Sequence, residues 1–442
     1  MATAEELERK YVMRSWAVQG TMPYEEITGG KGCWFWNKDG KKYLDFSSQW
    51  VNTNIGHQHP KVLAAIKEQT DKLCYIAPSF GNKTRGELAE LIVSHTPGDL
   101  NKVFFTSGGG ESNDNAINLV RQVTGRHKVI SRYRSYHGTT LGSLSISGEP
   151  RRLAAEPLLP GVVRIFDPYC YRCSFGKTYP ACGLECAEHI REVILYENPE
   201  TVAAVFLEPV TGTNGVFIPP REYLPRVREI CDEFGVLLVA DEVMSGWGRT
   251  GKWFGVDNWD VVPDVMTTAK GLTQGYIPLG AIIINEKIAE YYDDKMFWYG
   301  LTCSGHPVAC AAGIATIKVY EEENLIENAA RMGNKLKKGL NELQEKHQSI
   351  GNIRSIGLFS AIELVKDRDT KEPLAPWNGP APGIMAQLNK CLREQGVYVY
   401  IRWNNIIIAP PIAINEEELK FGLDAVDNCL DLADKALGFR FG

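Results

Sequence analysis

Two short apolar runs, each closed by a charged residue, restrict the folding of this chain more than any other feature. The first is Val236-Leu237-Leu238-Val239-Ala240, followed by Asp241-Glu242-Val243. The second is Val265-Met266-Thr267-Thr268-Ala269, followed by Lys270-Gly271. Both are rich in β-branched residues and bounded by Gly, Pro or charge, which is how a strand buried on both faces of a parallel sheet reads. Open α/β sheets bind ligands beyond the carboxyl ends of their strands. An acid and an amine are thereby delivered to one rim. Taken singly, an Asp-Glu pair after a strand caps a helix and a Lys before Gly is solvated. The functional reading therefore rests on what the rest of the chain supplies.

An acid and an amine on one rim suit pyridoxal phosphate. The carboxylate keeps the pyridine nitrogen protonated, so that the ring acts as an electron sink. The lysine holds the aldehyde and later moves a proton. Other chemistries fit the bulk numbers less well. At 442 residues the chain can bury a large core and form two or three domains. Its formal net charge of −6, with no basic block, argues against nucleic acid or an anionic membrane as partner. No apolar run reaches the ~18–20 residues of a membrane span. The first nine residues lack the features of a secretory or transit leader, so a cytoplasmic enzyme is expected. Eleven cysteines, an odd number in a long chain, suggest reduced thiols. Four of them cluster as Cys170, Cys173, Cys182 and Cys186. No metal is expected overall. A structural zinc there is the alternative to a loop of free thiols, although the gap between the pairs is shorter than in common zinc ribbons.

Along the chain, Gly32 to Trp36 and Lys42 to Phe46 flank Asp39-Gly40 and read as a hairpin. Pro60 opens a helix. From about residue 84, helix and strand alternate. The strand Lys102 to Phe105 enters Ser107-Gly108-Gly109-Gly110 and then a helix. Backbone N–H groups of such a loop, at a helix N-terminus, can close on a phosphate. Tyr136 follows the strand Lys128 to Ser131 and is placed to stack on a flat cofactor. Glu208 follows the strand Val202 to Leu207, a third acid on the same rim. From about residue 325 the pattern changes to helix, strands and helix, with Ser355 to Leu364 and Val397 to Ala409 read as strands. We expect an α/β protein with a large domain over 61–324 built on a mostly parallel sheet. A smaller α+β domain would span 325–442, with 1–60 packing against it.

In this order of motifs the chain resembles the class III aminotransferases, pyridoxal-phosphate enzymes of fold type I. The likeness covers nearly the whole length. It rests on Trp50 with Gly56 to Pro60, Ser107 to Asn113, Tyr136-His137-Gly138, Glu208-Pro209-Val210, Asp241-Glu242-Val243 with Gly246 to Gly251, Lys270-Gly271, and Thr302 to Pro307. The resemblance implies that Lys270 is the Schiff-base lysine and that Asp241 pairs with the ring nitrogen. Tyr136 and Val243 would lie on the two ring faces, with Glu208 also at the cofactor. Gly109 and Gly110 would bind the phosphate. Thr302 would reach the phosphate of a partner subunit, which makes a homodimer with shared sites the expected assembly and leaves a tetramer open. Trp50 would line the substrate pocket.

Four positions depart from the family pattern, in three respects. Gly110 stands where Ser is frequent, and Met244 where many members carry Gln. Ile407 and Thr213 stand where ornithine- and 4-aminobutyrate-type members carry an Arg and a switching Glu. The chain is thus unlike that gated branch and is closest in texture to the taurine aminotransferases. Members acting on β-alanine, taurine or simple amines carry an Arg further upstream in the same hairpin. Arg402 is the candidate here, because a buried carboxylate or sulfonate needs a forked cation. The expected activity is ping-pong transfer of the amino group of an ω-amino acid to pyruvate or 2-oxoglutarate. A racemase, aminomutase or decarboxylase of the same family, or a non-catalytic binder, is the alternative.

Overall fold

The structure is a computed structural model that describes residues 2–379 and 383–438. Its centre is a seven-stranded sheet in the order Leu100–Thr106, Gly280–Asn285, Val265–Thr268, Leu237–Asp241, Val202–Leu207, Lys128–Arg132, Val162–Ile165. Only Gly280–Asn285 runs antiparallel to its neighbours. Every residue of Val202–Leu207 is buried, as the unbroken apolar run requires of a strand covered on both faces. The helix Gly109–Thr124 covers one face with Ala116, Ile117 and Val120, against Ala203, Phe206 and Val239. On the other, Ile190 and Ile194 of Glu185–Tyr196 and Val227 and Ile230 of Tyr223–Phe234 pack against Val205 and Leu238. Asp241 pairs in register with Thr267, so the strands that deliver the acid and the amine are neighbours.

Two four-stranded sheets flank this core. One joins Ile27–Lys31, Trp34–Asn37 and Lys42–Asp45 to Val397–Tyr398, which pairs in parallel with Lys42–Asp45. The other is the antiparallel set Ile350–Ile356, Phe359–Leu364, Asn405–Ile408 and Tyr400–Arg402. The helices Leu325–Lys346 and Glu416–Ala436 add Leu336, Leu340 and Leu430 to the core they share with Ile362 and Ile406.

Local differences from the sequence reading have physical causes. The run from Ser355 to Leu364 breaks between two strands at Gly357, which has φ +53° and whose missing Cβ would stand 2.3 Å from the Thr250 backbone. The stretch Val397 to Ala409 divides into three short strands. The helix Gly383–Glu394 lies in a stretch the sequence reading left undescribed. The expectation of reduced thiols throughout is corrected: Cys391 in that helix and Cys429 in Glu416–Ala436 form a disulfide, with Cα atoms 5.8 Å apart. Among the described residues no helix is long and apolar enough to cross a membrane.

Candidate active site

A cavity of about 610 Å³ opens at the carboxyl rim of the large sheet. It is lined by Gly109, Gly110, Tyr136, Glu208, Asp241, Val243 and Lys270, together with Trp50 and Arg402. The sequence placed these nine at one site, and the fold brings all of them to it.

Lys270 lies one residue beyond Val265–Thr268 and its flanking Ala269, with φ +39°, a left-handed conformation uncommon for a residue with a side chain. Such local strain is held only where the surrounding structure fixes it, and it collects at functional sites. Burial lowers the Lys270 amine to a pKa of about 8, against the opposing pull of Asp241 and Glu208. At pH 7.4 roughly a fifth of such amines are neutral, against about a thousandth for an ordinary lysine, and the neutral form is the one that attacks an aldehyde or takes a proton.

Asp241 is the last residue of its strand and is 3% exposed. Its Oδ2 accepts from Asn113 Nδ2 at 2.8 Å and from His137 Nδ1 at 2.7 Å. Its Oδ1 accepts from the Val243 N–H at 3.0 Å. Asn113 is fixed in turn by Thr267, whose hydroxyl donates to Asn113 Oδ1 at 2.8 Å. The next acid, Glu242, has a different task. It is fully buried and accepts from Ser245 Oγ and from the N–H groups of Gly255 and Val256, and so folds the loop after the strand. Burial pushes its carboxyl up to about 7.

The loop expected to cradle a phosphate ends at the N-terminus of Gly109–Thr124, reached through the extended residue Gly108. The first N–H groups of a helix have no partner within it and carry partial positive charge. A Cβ at Gly109 would stand 2.8 Å from a Val243 methyl, so glycine lets the backbone approach the cavity floor. Gly110 is not sterically required: a Cβ there would sit 3.6 Å from Ser143 Oγ and Thr140 Oγ1. Those two hydroxyls border the space that a Ser side chain would enter.

Glu208, 2% exposed, acts through the backbone. Its Oε1 accepts from the Tyr136 N–H at 3.1 Å and its Oε2 from the Gly212 N–H at 2.8 Å. It fixes the chain that carries the aromatic ring. Burial raises its carboxyl pKa. Trp50 is half exposed and packs edge-on against Trp16, with ring centroids 4.8 Å apart. Arg402 donates from Nη2 to Glu149 Oε2 at 2.8 Å, while its Nε is buried without a partner. Thr302 is not in this cavity. It is exposed, and its carbonyl accepts from Tyr75 at 2.9 Å.

The four clustered cysteines border one small cleft as free thiols. Among the described residues no three His, Cys, Asp or Glu side chains are grouped to hold a metal, so the zinc alternative gains no support here. Four residues at or behind the site were given no role from sequence: Asn113 and His137, which were quoted only within motifs, and Glu149 and Arg151. Asn113 carried a signal, since it is a polar residue three and four positions before Ala116 and Ile117 on the apolar face of its helix.

These residues fit pyridoxal phosphate on structural grounds. A helix N-terminus approached through a glycine a Cβ would obstruct, a buried carboxylate held on three donors, and an amine of lowered pKa meet in one cavity. The fold and site define a pyridoxal-phosphate enzyme of fold type I. The class-III aminotransferase family model matches residues 16–430, and the chain belongs to that family. A taurine–pyruvate aminotransferase from Bilophila wadsworthia is 38% identical over 384 residues, 84% of each chain. A solved taurine:2-oxoglutarate aminotransferase from Bifidobacterium kashiwanohense, in complex with PLP and glutamate, is 41% identical with a TM-score of 0.94 over 99% of both chains. A leucine/methionine racemase from Thermococcus litoralis is 35% identical over 424 residues, 92% of each chain.

Proposed function

We propose that this aminotransferase works by a ping-pong mechanism, moving the amino group of an ω-amino acid of the taurine or β-alanine type to pyruvate or 2-oxoglutarate. The observation that carries the substrate class is Arg402: its guanidinium lines the cavity of Lys270, uses Nη2 on Glu149, and has an Nη1 that makes no hydrogen bond among the described residues. An anionic group on the substrate supplies the acceptor. The relatives that act on taurine support the same class.

Bound pyridoxal phosphate supplies the electron sink and carries the amino group between the two half-reactions. The N–H groups of Gly109 and Gly110 hold its phosphate. Asp241 holds the proton on the ring nitrogen, and its three donors keep the carboxylate aimed there. Tyr136 and Val243 confine the ring. Lys270 Nζ removes a proton from the substrate carbon that bears nitrogen and returns it on the far side of the transfer. Arg402 orients the substrate by its anionic end, and Trp50 and Trp16 shield the cavity mouth. We further propose a homodimer, or a tetramer of such dimers, in which Thr302 reaches the phosphate of the partner's site, in keeping with its exposure and its place outside the lining of its own cavity.

A matrix of amino donors against 2-oxo acids tests the reading. Taurine or β-alanine should give product only when an acceptor is present, and Lys270→Ala should give none. The second reading, racemisation, has the similarity to the leucine/methionine racemase in its favour. Inversion of an amino acid without any acceptor would establish it and end the first.

A further inference from the structure

A buried carboxylate with no part in the chemistry above stands beside Arg402. Glu149 is fully buried; its Oε2 accepts from Arg402 and its Oε1 from Arg151 Nε. One carboxylate thus holds two guanidiniums, and both line the cavity. Glu149 and Arg151 are two residues apart at the start of the short helical turn Pro150–Ala155, so their relative placement is set locally. The Arg151 guanidinium stacks 3.6 Å from the ring centroid of Tyr136. Its Nη2 comes within 3.4 Å of Thr213 Oγ1, the position where gated relatives would present a carboxylate.

The donors are far from spent. A guanidinium carries five N–H groups. Arg402 uses one nitrogen on Glu149, and its Nε is buried without a partner. Arg151 uses Nε on Glu149 and Nη2 weakly on a hydroxyl. Neither Nη1 makes a hydrogen bond among the described residues. A single negative charge balances one of the two cations and leaves the other for whatever enters the cavity. A substrate with one anionic group satisfies Arg402 and leaves Arg151 as it is.

We propose that Arg151 is a second, specificity-determining anion site, which takes the distal carboxylate of a dicarboxylic 2-oxo acid while Arg402 takes the carboxylate beside the reacting carbon. The acceptor is then of the 2-oxoglutarate class rather than a monocarboxylate. Glu149 yokes the two guanidiniums so that both are presented together. This rests on the aminotransferase reading above.

Calorimetry on the pyridoxal-phosphate-loaded full chain tests it with glutarate and butyrate, unreactive acids with two carboxylates and one. Glutarate should bind about tenfold more tightly or better, and Arg151→Gln should erase that difference. The ratio of kcat/KM for 2-oxoglutarate over pyruvate, with one common donor, should fall about tenfold or more in the same variant. Arg151→Lys, which keeps the charge, should restore part of both preferences. Equal binding of the two acids by the unaltered protein would overturn the proposal. So would an Arg151→Gln variant that loses both acceptors in proportion, since that marks Arg151 as a support for Tyr136. Failure of every donor–acceptor pair would instead end the functional reading, and glutarate binding would still judge Arg151.

Discussion

His137 Nδ1 donates to Asp241 Oδ2 at 2.7 Å, with both side chains buried and the opposite ring nitrogen of His137 without a partner. An ionised carboxylate only accepts, so the imidazole proton resides on Nδ1. The pair fixes the carboxylate proposed to face the ring nitrogen of the cofactor, and Asn113 also donates to it.

Asn113→Ala should therefore reduce kcat while the chain still takes up pyridoxal phosphate. A hydrogen bond to a charged group is worth about 1.5–3 kcal/mol, which is roughly ten- to a hundredfold if it is felt in the rate-limiting step. Single-turnover kinetics of the loaded enzyme measures the loss. An unchanged rate would show that Asp241 is held well enough by His137 and the Val243 N–H alone.

How far this site was legible follows from which residues announce themselves locally. Asp241 and Lys270 did once taken together, because each follows a short, β-branched apolar run that reads as a strand buried on both faces, which puts both on one sheet rim. Gly109 did in part, because a glycine loop between strand and helix suits a phosphate, although it also reads as a flexible turn until the helix N-terminus is placed at the cavity. Asn113 was visible only as a polar residue on an apolar helix face. Glu149 and Arg151 gave no signal: a charge pair two residues apart on a polar turn looks solvated until tertiary packing buries it. The disulfide was equally hidden, since Cys391 and Cys429 meet only because two helices pack together. Thr302 does not line the cavity among the described residues, so its role rests on the proposed dimer.

The Lys270 amine sets a pH dependence. With its pKa near 8 rather than 10.5, the neutral fraction at pH 7.5 is on the order of a few hundred times larger than for a free lysine. Uptake of pyridoxal phosphate by the cofactor-free protein, followed by visible absorbance, should rise with pH and level off above about 8. The linked stability has the matching sign. Between these two pKa values the unfolded chain binds the extra proton, so the cofactor-free protein should gain stability as pH rises through that window. Lys270→Met should flatten both profiles.

The two cradle glycines should respond in opposite ways. Gly109→Ala places a methyl 2.8 Å from Val243 and forces that side chain from the cavity floor. Overpacking of this kind costs about 1–3 kcal/mol, so the dissociation constant for pyridoxal phosphate should rise roughly tenfold or more. Gly110→Ser meets only ordinary contacts and adds a hydroxyl beside Thr140 and Ser143, so its affinity should be equal or tighter. Equilibrium titration of the cofactor-free variants separates the two.

Arg249 is fully buried and forms no ion pair among the described residues. Its Nη1 donates to the carbonyls of Leu358 and Pro410, and its Nη2 to Ser48 Oγ and Asn54 Oδ1. It thereby ties the loop after Asp241 to both flanking segments of the chain. Burial lowers its pKa to about 10. Arg249→Met strands two carbonyls while removing a costly buried charge, and the net loss should be about 2–4 kcal/mol. Denaturant unfolding of the loaded enzyme would measure it, and a loss under about 1 kcal/mol would mean that the desolvation recovered nearly cancels the lost donors.

Arg402 provides the sharpest test of the substrate class. An arginine that recognises only the anionic end of a donor is idle when the donor has none. Arg402→Leu removes the fork but keeps much of the apolar stem, so the cavity wall is preserved. The ratio of kcat/KM for taurine over an uncharged aliphatic amine should then fall on the order of ten- to a hundredfold, the worth of one charge-assisted contact. Glu149 would be left with Arg151 alone, and that pair is already neutral, so no isolated buried charge confounds the result. A proportional fall with both donors would mean that Arg402 supports the fold around Glu149 and that the anion of the donor is received elsewhere in the cavity.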